Sequence, residues 1–170
     1  AVATYAGDAD GIMEFWENMA YSNRDPQNQV ALARYDIDEH YHPVTVRQMG
    51  LVTTRFGAFL NPDVCERFDT ELLHISSLEA LHLDPQPRLL LETCAKCILT
   101  EPYASSIEHA GDFAKVCGVF VGCMYNETPH LQQIYDVDAG AHAGTGSGAA
   151  FMCGRISYVF AMTGPCVSTD

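Results

Sequence analysis

The strongest constraint on the fold of this chain is one apolar run, Val116-Cys117-Gly118-Val119-Phe120-Val121-Gly122. The run is short, rich in β-branched residues and bounded by glycine, which is typical of a strand covered on both faces. Such strands lie in the interior of sheets that helices cover on either side. The run therefore predicts a central strand over residues 116–122.

Helical patterns precede and follow this strand. The clearest begins at Asp84, whose carboxylate can accept from the amide of Gln86, with Pro85 in the first helical position. Its predicted apolar stripe is Leu90, Cys94, Cys97 and Ile98. An earlier helix is predicted after a cap at Asp10, with apolar positions at Ile12, Phe15, Trp16 and Met19.

The rest of the chain continues this alternation. Two further helices are predicted near 127–135 and over 149–162, with a Gly-rich loop at 140–148 between them and a final strand at 166–169. Residues 22–26 form a predicted turn, residues 23–65 are mostly irregular, and only residues 51–59 could be short strands. Strands that alternate with helices predict a layered α/β fold.

Length and charge limit the classes of function. The 170 residues fit one domain, and 9 Lys+Arg against 22 Asp+Glu leave a net charge of −13. A chain this acidic lacks the cationic face that nucleic acids and anionic membranes require. No window approaches the roughly 20 apolar residues of a membrane span. The sequence thus predicts a soluble, acidic protein that neither binds nucleic acid nor crosses a membrane.

Cysteine usage suggests a reducing compartment. The seven cysteines are an odd number, and several lie in apolar runs: Cys65, Cys94, Cys97, Cys117, Cys123, Cys153 and Cys166. We interpret them as reduced, intracellular thiols. The sequence leaves open whether the compartment is the cytoplasm or an organelle such as a plastid.

Three short motifs could indicate chemistry, and each has a simpler interpretation. Cys94-x-x-Cys97 lies within a helix on its apolar stripe, where core packing is expected rather than redox or zinc chemistry. His40-x-His42 beside Pro43 indicates a solvated turn. The glycines at 144, 146 and 148 lack the spacing of a dinucleotide-binding loop and indicate a flexible turn before a helix.

The remaining polar residues form no site that can be recognised from sequence. No nucleophile, base and orienting group can be assembled from His74, His82, His109, His130 and His142. The acidic run 36–39 is most simply a solvated face. We therefore predict no catalytic, cofactor-binding or metal-binding residues and no cofactor. A redox or metal protein that uses Cys94 and Cys97 is kept as an alternative.

A set of motifs in order closely resembles the β-ketoacyl synthase (ketosynthase) domains of polyketide and fatty-acid synthases. The motifs are Glu14-Phe15-Trp16, Arg34-Tyr35-Asp36-Ile37-Asp38, Arg67-Phe68-Asp69, Ile75-Ser76, Glu79-Ala80, Leu83-Asp84-Pro85-Gln86-Pro87-Arg88-Leu89-Leu90-Leu91-Glu92, Gly118-Val119-Phe120-Val121-Gly122, Met124-Tyr125-Asn126, Gly154-Arg155-Ile156-Ser157-Tyr158-Val159-Phe160 and Thr163-Gly164-Pro165. The resemblance covers nearly the whole chain.

The resemblance implies a thiolase-like layered fold, of which residues 1–170 are the N-terminal portion of a single domain. The family condenses acyl thioesters with decarboxylation, using a cysteine nucleophile that follows an Asp-Thr-Ala run and two histidines. This chain stops at Asp170, the first residue of that run. The resemblance thus implies that the nucleophile and both histidines lie beyond it, and that Cys166 packs as a small apolar side chain in the strand before them.

The resemblance also implies missing structure at the start, because Ala1-Val2-Ala3 matches the end of the family's opening strand. We expect a chain that does not fold alone, completed by the rest of a ketosynthase or by other subunits that cover its open sheet edge. The resemblance implies an acyl carrier protein as a partner only if the domain is catalytically complete. Such carriers are acidic, so a chain of charge −13 opposes their docking unless a local basic patch intervenes. The alternative is a non-catalytic ketosynthase-like subunit with a structural or docking role.

The chain departs from the family inside these motifs. Pro87 replaces a glutamine, Leu73-His74 replaces a Phe-Gly pair, and Ala95 followed by Lys96 replaces a bulky aromatic position. We expect these changes to affect helix packing more than chemistry.

Overall fold

The computed structural model describes residues 5, 7, 9, 11–21, 27–44, 50–99, 116–138, 140–141 and 143–169. In chain order the helices are α1 (Ile12–Ala20), α2 (Pro62–Glu66), α3 (Ser77–Leu81), α4 (Pro85–Leu99), α5 (Thr128–Ile134), α6 (Ala143–Ser147) and α7 (Ala149–Val159). The strands are β1 (Asn28–Gln29), β2 (Phe56–Gly57), β3 (Val119–Gly122) and β4 (Cys166–Thr169). The chain divides into two compact units, Ala1–Pro62 and Asp63–Asp170.

The described residues of the first unit contain little regular structure. β1 and β2 form a short antiparallel pair, with Asn28 opposite Gly57. A single 3₁₀ turn at Ile37–Glu39 is capped by Asp36, whose carboxylate accepts from the amide of Asp38 at 3.0 Å. The expectation of a mostly irregular segment is confirmed, but β1 lies outside residues 51–59. Its two polar residues carry no alternation of apolar and polar positions that could have indicated a strand.

The helix predicted near the N-terminus is α1, although its start differs. Gly11 occupies the N-cap with a φ of 139° and makes no side-chain cap, while Asp10 lies outside the described residues. Within the helix the apolar stripe is largely exposed, with Trp16 57% and Met19 64% accessible. Phe15 is half-buried and stacks on Tyr5, with 4.4 Å between ring centroids.

The second unit is built on β3 and β4, which pair in parallel from Val119 opposite Cys166 to Gly122 opposite Thr169. Parallel neighbours require a long crossover, and residues 123–165 supply it through α5, α6 and α7. This βαβ arrangement confirms both predicted strands, the helices near 127–135 and 149–162, and the α/β class.

Only one face of this strand pair is covered. Val119 and Val121 point into a core formed with α4 and α7, where Leu91, Ala95, Met152, Ile156 and Phe160 are buried. On the opposite face, Phe120 is 72% exposed and Val167 is 47% exposed. Among the described residues, β3 pairs with β4, and a covering layer is present for alternate side chains of the run only. Coverage of the second face, and with it the central place of this strand, stays a prediction.

Helix α4 begins as predicted, because Asp84 Oδ1 accepts from the amide of Gln86 at 2.8 Å. The predicted stripe was wrong in part. The buried positions are Pro87, Leu91, Ala95 and Ile98, whereas Leu90 and Cys94 pack at the margin of the core and Cys97 is exposed. Residues four apart share a helix face, so a stripe centred on Leu91 and Ala95 turns Cys97 outward. Pro87 and Ala95, two of the positions at which the chain differs from the ketosynthase motifs, therefore lie on the buried face of α4.

The Gly-rich segment at 140–148 is partly helical, which corrects the prediction of a loop. One glycine of α6, Gly146, permits a close backbone approach. A Cβ at Gly146 would overlap the carbonyl oxygen of His82, and the carbonyl of Gly146 accepts from the amide of Asp84 at 3.1 Å. Gly144, by contrast, faces open space.

Helix α7 ends at Val159, before the predicted boundary at 162. Ala161 adopts a left-handed φ of 52°, and two reversed hydrogen bonds close the helix: Met162 N to Ser157 O at 2.8 Å and Ala161 N to Tyr158 O at 3.3 Å. This is a Schellman motif, in which the left-handed position is usually a glycine. The sequence did not indicate the end of the helix at Val159 because that position is an alanine among other apolar residues.

Two short helices, α2 and α3, were missed by sequence reasoning. The signal for α3 is present as Ser76-x-x-Glu79, and the Ser76 hydroxyl accepts from the amide of Glu79 at 3.2 Å. No helix in the described part of the chain is long and apolar enough to cross a membrane.

Candidate functional site at the carboxyl edge of the parallel strands

The carboxyl ends of β3 and β4 meet at one edge of the second unit, since the two strands are parallel. In open α/β sheets this edge is where ligands bind and where functional groups gather. Cys123 leaves β3 here and its amide donates to Thr169 at 2.9 Å. Asp170, where the family's Asp-Thr-Ala run begins, lies outside the described residues.

Buried Asp84 organises this region. Besides capping α4, its second carboxylate oxygen accepts from the hydroxyl of Thr128, the first residue of α5, and its amide donates to Gly146 in α6. Asp84 is 3% exposed, so its charge depends on these hydrogen bonds and on the positive end of the α4 dipole. One residue, through its side chain and its backbone amide, thus ties together three helices.

The loop after β3 is held against the first turn of α4. The Gln86 side-chain amide donates to the carbonyl of Tyr125 at 2.9 Å, and the Cys123 thiol donates to Gln86 Oε1 at 3.2 Å. Asn126 donates to the carbonyl of Ser147, and its own side-chain oxygen accepts from the amide of Thr128 at 3.1 Å. These contacts fix the path of residues 123–127.

A second cluster lies beneath β4, where α7 packs on the sheet. The Ser168 hydroxyl donates to Cys153 Sγ at 2.9 Å, and the thiol of Cys166 also hydrogen-bonds Cys153. Burial acts to raise the pKa of Cys153, but these bonds and the backbone amide of Gly154 stabilise the thiolate, so its pKa lies below the ordinary value. Cys166 is exposed, which corrects the expectation that it packs as a small apolar side chain.

The cysteine pair of α4 shows no feature of a redox centre. Burial raises the pKa of Cys94, and the neighbouring Cys97 raises it further, whereas catalytic thiols have lowered values. Within the described ranges, no group of three or more His, Cys, Asp or Glu side chains could hold a metal ion. None of the seven cysteines, all of which lie in the described ranges, forms a disulfide.

The histidines are dispersed. His40 and His42 flank a bridge between Tyr41 and Val52, which corrects the interpretation as a plain turn, and their Nδ1 atoms face the carbonyls of Gly50 and Val44. In the second unit, His74 lines a cavity of about 330 Å³ with Glu79 and Arg155, and the His82 ring lies against Gly140. His130 is exposed in α5, and His109 and His142 lie outside the described residues.

The geometry therefore defines a layered α/β scaffold with a polar network at one edge of its sheet. A parallel strand pair is braced by α4 and α7, and a polar network under Asp84 sets the loop at its carboxyl edge. Sequence reasoning found the Asp84 cap but missed the Thr128 and Ser168 contacts, because those partners meet only in the folded chain. The described residues supply support for a site rather than an assembled nucleophile and base.

Comparison with known proteins identifies this scaffold. The model of the family "Beta-ketoacyl synthase, N-terminal domain" matches residues 1–170. The chain belongs to the β-ketoacyl synthase family, matches its N-terminal domain, and has the thiolase-like fold of ketosynthase domains. The resemblance stated from its motifs is confirmed.

Its relatives are much longer proteins. The chain is 33% identical over 171 residues to a phenolphthiocerol/phthiocerol polyketide synthase protein of Mycobacterium tuberculosis, covering 98% of this chain and 10% of that protein. It is 32% identical to a highly reducing polyketide synthase of Aspergillus ruber, covering 96% of this chain and 6% of that protein. The chain thus spans about a tenth or less of these relatives.

Solved structures give the same result. An oxazolomycin ketosynthase domain of Streptomyces albus superimposes with a TM-score of 0.73 at 30% identity, covering 98% of this chain and 27% of that one. The ketosynthase from module 6 of the bacillaene synthase of Bacillus subtilis gives 0.72 at 25% identity, covering 98% and 24%. The matched part is about a quarter of each ketosynthase.

Proposed function

We propose that residues 1–170 act as the N-terminal portion of a single ketosynthase-like domain whose remaining residues supply the reactive cysteine and its two histidines. The complete domain would carry out the family's reaction, a decarboxylative condensation of acyl thioesters. The family match over the full 170 residues, and the three quarters of each solved ketosynthase that has no counterpart here, support this proposal.

The observation that carries the proposal is the uncovered face of the parallel strands. Phe120 and Val167 lie side by side in the β3–β4 register and are both exposed, while their neighbours Val119 and Val121 are buried. A contiguous apolar patch on a sheet marks a surface that another part of a protein covers. We assign the rest of the same ketosynthase domain as its occupant, because the family fold supplies further structure there.

None of the seven cysteines is the proposed nucleophile. Cys153 is buried, and Cys166 lies at the start of β4, whereas the family's nucleophile follows the Asp at position 170. The chemistry would proceed through side chains alone, so we propose no metal or cofactor. The residues described above would act by positioning: they hold β4, and thereby the segment that follows it.

An acyl carrier protein would be a partner of the complete domain. The net charge of −13 on this portion opposes docking of another acidic protein, so the basic contacts would come from elsewhere in the domain. The relatives' place in large synthases supports partners of this kind.

Acyl mapping of the intact protein tests the proposal. The protein that contains these residues is incubated with an acyl thioester, digested, and searched by mass spectrometry for the acylated cysteine. We expect the acyl group on a cysteine after position 170 and none on the seven cysteines described here. Acylation of Cys153 or Cys166 would contradict the proposal. An intact, folded protein that takes up no acyl group would favour the alternative, a non-catalytic docking subunit.

A further inference from the structure

The contact between α7 and β4 places two cysteines on one surface. Residues two apart on a strand point to the same side, so Cys166 and Ser168 both face α7, and Cys153 on that helix is the side chain that they meet. The register agrees, since Cys166 and Ser168 pair with the inward-facing Val119 and Val121. The cluster lies on the side of β4 opposite the exposed Val167.

The two thiols differ in a way that suits an oxidation reaction in two steps. Cys166 is exposed at the start of β4, whereas Cys153 is 4% accessible. The Ser168 hydroxyl, 2.9 Å from Cys153 Sγ, donates a hydrogen bond that favours the thiolate. An accessible thiol can meet an oxidant, and a buried, stabilised thiolate beside it can resolve the product.

We propose that Cys153 and Cys166 form a peroxide-sensitive pair whose oxidation ties α7 covalently to β4. Hydrogen peroxide oxidises the Cys166 thiol to a sulfenic acid and is itself reduced to water. The Cys153 sulfur then attacks the sulfenic sulfur, the S–O bond breaks, and the oxygen leaves as a second water with the remaining thiol proton. The net change is two thiols and one peroxide to one disulfide and two waters.

The positions of the methionines make the link directly measurable. Cyanogen bromide cleaves after Met152 and Met162, so Cys153 is the cysteine of the peptide 153–162, and the next peptide carries Cys166. The intact protein is treated with peroxide, remaining thiols are alkylated under denaturing conditions, and the peptides are analysed without reduction. We expect a linked pair of these peptides that rises with peroxide and disappears with dithiothreitol.

Variants locate the chemistry. Cys153→Ala and Cys166→Ser should each abolish the link, whereas Cys97→Ser, which changes another exposed cysteine, should leave its yield unchanged. Ser168→Ala should slow linking about threefold, because losing the hydrogen bond that stabilises the thiolate raises the pKa of Cys153 and the smaller thiolate fraction is only partly offset by a stronger nucleophile.

Three results would overturn the proposal. In the first, both cysteines are still alkylated after peroxide treatment. In the second, Cys166 is linked to a cysteine other than Cys153. In the third, Cys166 in the unoxidised intact protein resists an alkylating agent that labels Cys97. A linking rate unchanged in Ser168→Ala would remove Ser168 from the mechanism.

Discussion

At the scale of single residues, Asp84 shows how one residue can hold three elements, two through its carboxylate and one through its backbone amide. Its carboxylate is nearly inaccessible, and both oxygens are used, one by the Gln86 amide and the other by the Thr128 hydroxyl. The cap was predictable from sequence because its donor, the Gln86 amide, and its acceptor, the Asp84 carboxylate, are only two residues apart. The Thr128 contact was not, since 44 positions separate its partners.

Replacing Asp84 should loosen the start of α4. Asp84→Ala removes the cap and leaves the Thr128 hydroxyl without its acceptor, at a cost of about 2 kcal/mol in the free energy of unfolding. Hydrogen exchange of the Gln86 amide in the intact protein provides the measurement, and exchange should become faster. Asp84→Asn retains an acceptor for the amide and should lose less. Equal protection in both variants and the parent would refute the role given to Asp84.

Ala161 is a residue in a conformation that favours glycine. Its φ of 52° costs about 1 kcal/mol for a side chain with a Cβ, so Ala161→Gly should stabilise the unit by about that amount. Ala150→Gly, inside α7, is the matched control and should destabilise it by about 1 kcal/mol. Urea unfolding monitored in the intact protein compares the two. Changes of the same sign in both variants would contradict the assigned helix end.

His74 illustrates the same effect at a position where the chain departs from its family. His74 stands where the family resemblance places a glycine, and it adopts a left-handed φ of 52°. The sequence motifs identified the departure, but only the folded structure shows this conformation.

At the scale of elements, Arg155 joins three helices. From α7 its guanidinium pairs with Glu79 of α3 and donates to the carbonyl of Thr145 in α6 at 3.1 Å. The side chain of Arg155 is 11% exposed and that of Glu79 is 30% exposed. A charge this buried depends on its partner far more than a surface charge does.

Breaking this pair should therefore cost more than breaking an exposed one. Glu79→Gln should lower the free energy of unfolding by about 1–3 kcal/mol, because Arg155 keeps its charge without a carboxylate. Asp63→Asn, which breaks the exposed pair with Arg67, is the control and should change it by less than about 0.5 kcal/mol. Denaturant titration of both variants distinguishes them, and equal losses would show that burial has no bearing on the pair.

The segments that lead into β3 and β4 approach each other closely at Gly164. A Cβ there would overlap the carbonyl of Cys117, whereas one on Gly154 in α7 would meet open space. Gly164→Ala should destabilise the strand pair by about 1–3 kcal/mol, and Gly154→Ala should stabilise α7 by up to about 1 kcal/mol. The Val119 amide donates to the carbonyl of Pro165 at 2.7 Å, so its hydrogen exchange should become faster in Gly164→Ala. Tolerance of alanine at position 164 would disprove the close approach.

Elements with a strong local sequence pattern were predictable, whereas features that depend on packing against distant parts of the chain were not. β4 has the predicted limits, and α4 has the predicted start, since strand alternation and capping act over a few residues. The phase of the α4 stripe differs because the sheet decides which side of the helix is buried. The helix at 143–147 was missed because Gly146, which sequence reasoning assigned to a flexible turn, is needed for a close contact with the distant His82 backbone.

At the scale of the whole molecule, the exposed face of the sheet is the feature that the proposed function explains. If the rest of the ketosynthase domain covers it, Phe120→Asp should place a charge in an apolar interface and destabilise the intact protein by about 3 kcal/mol or more. Tyr135→Asp is the control, since Tyr135 has the same 72% exposure but lies at the end of α5. Thermal unfolding of the two intact variants tests this. Equal midpoints would mean that the face around Phe120 is solvated.

The amino-acid order alone was enough to establish the family, the alternation of strands and helices, and the start of the main helix. These properties depend on contacts between residues close in sequence or on motifs read in order. Tertiary structure was needed to show which face of the strands is bare, that Asp84 meets Thr128, and that Cys153 lies between Ser168 and Cys166. The reason is physical: burial and hydrogen bonding between distant residues depend on how the elements pack, and no local pattern encodes that arrangement.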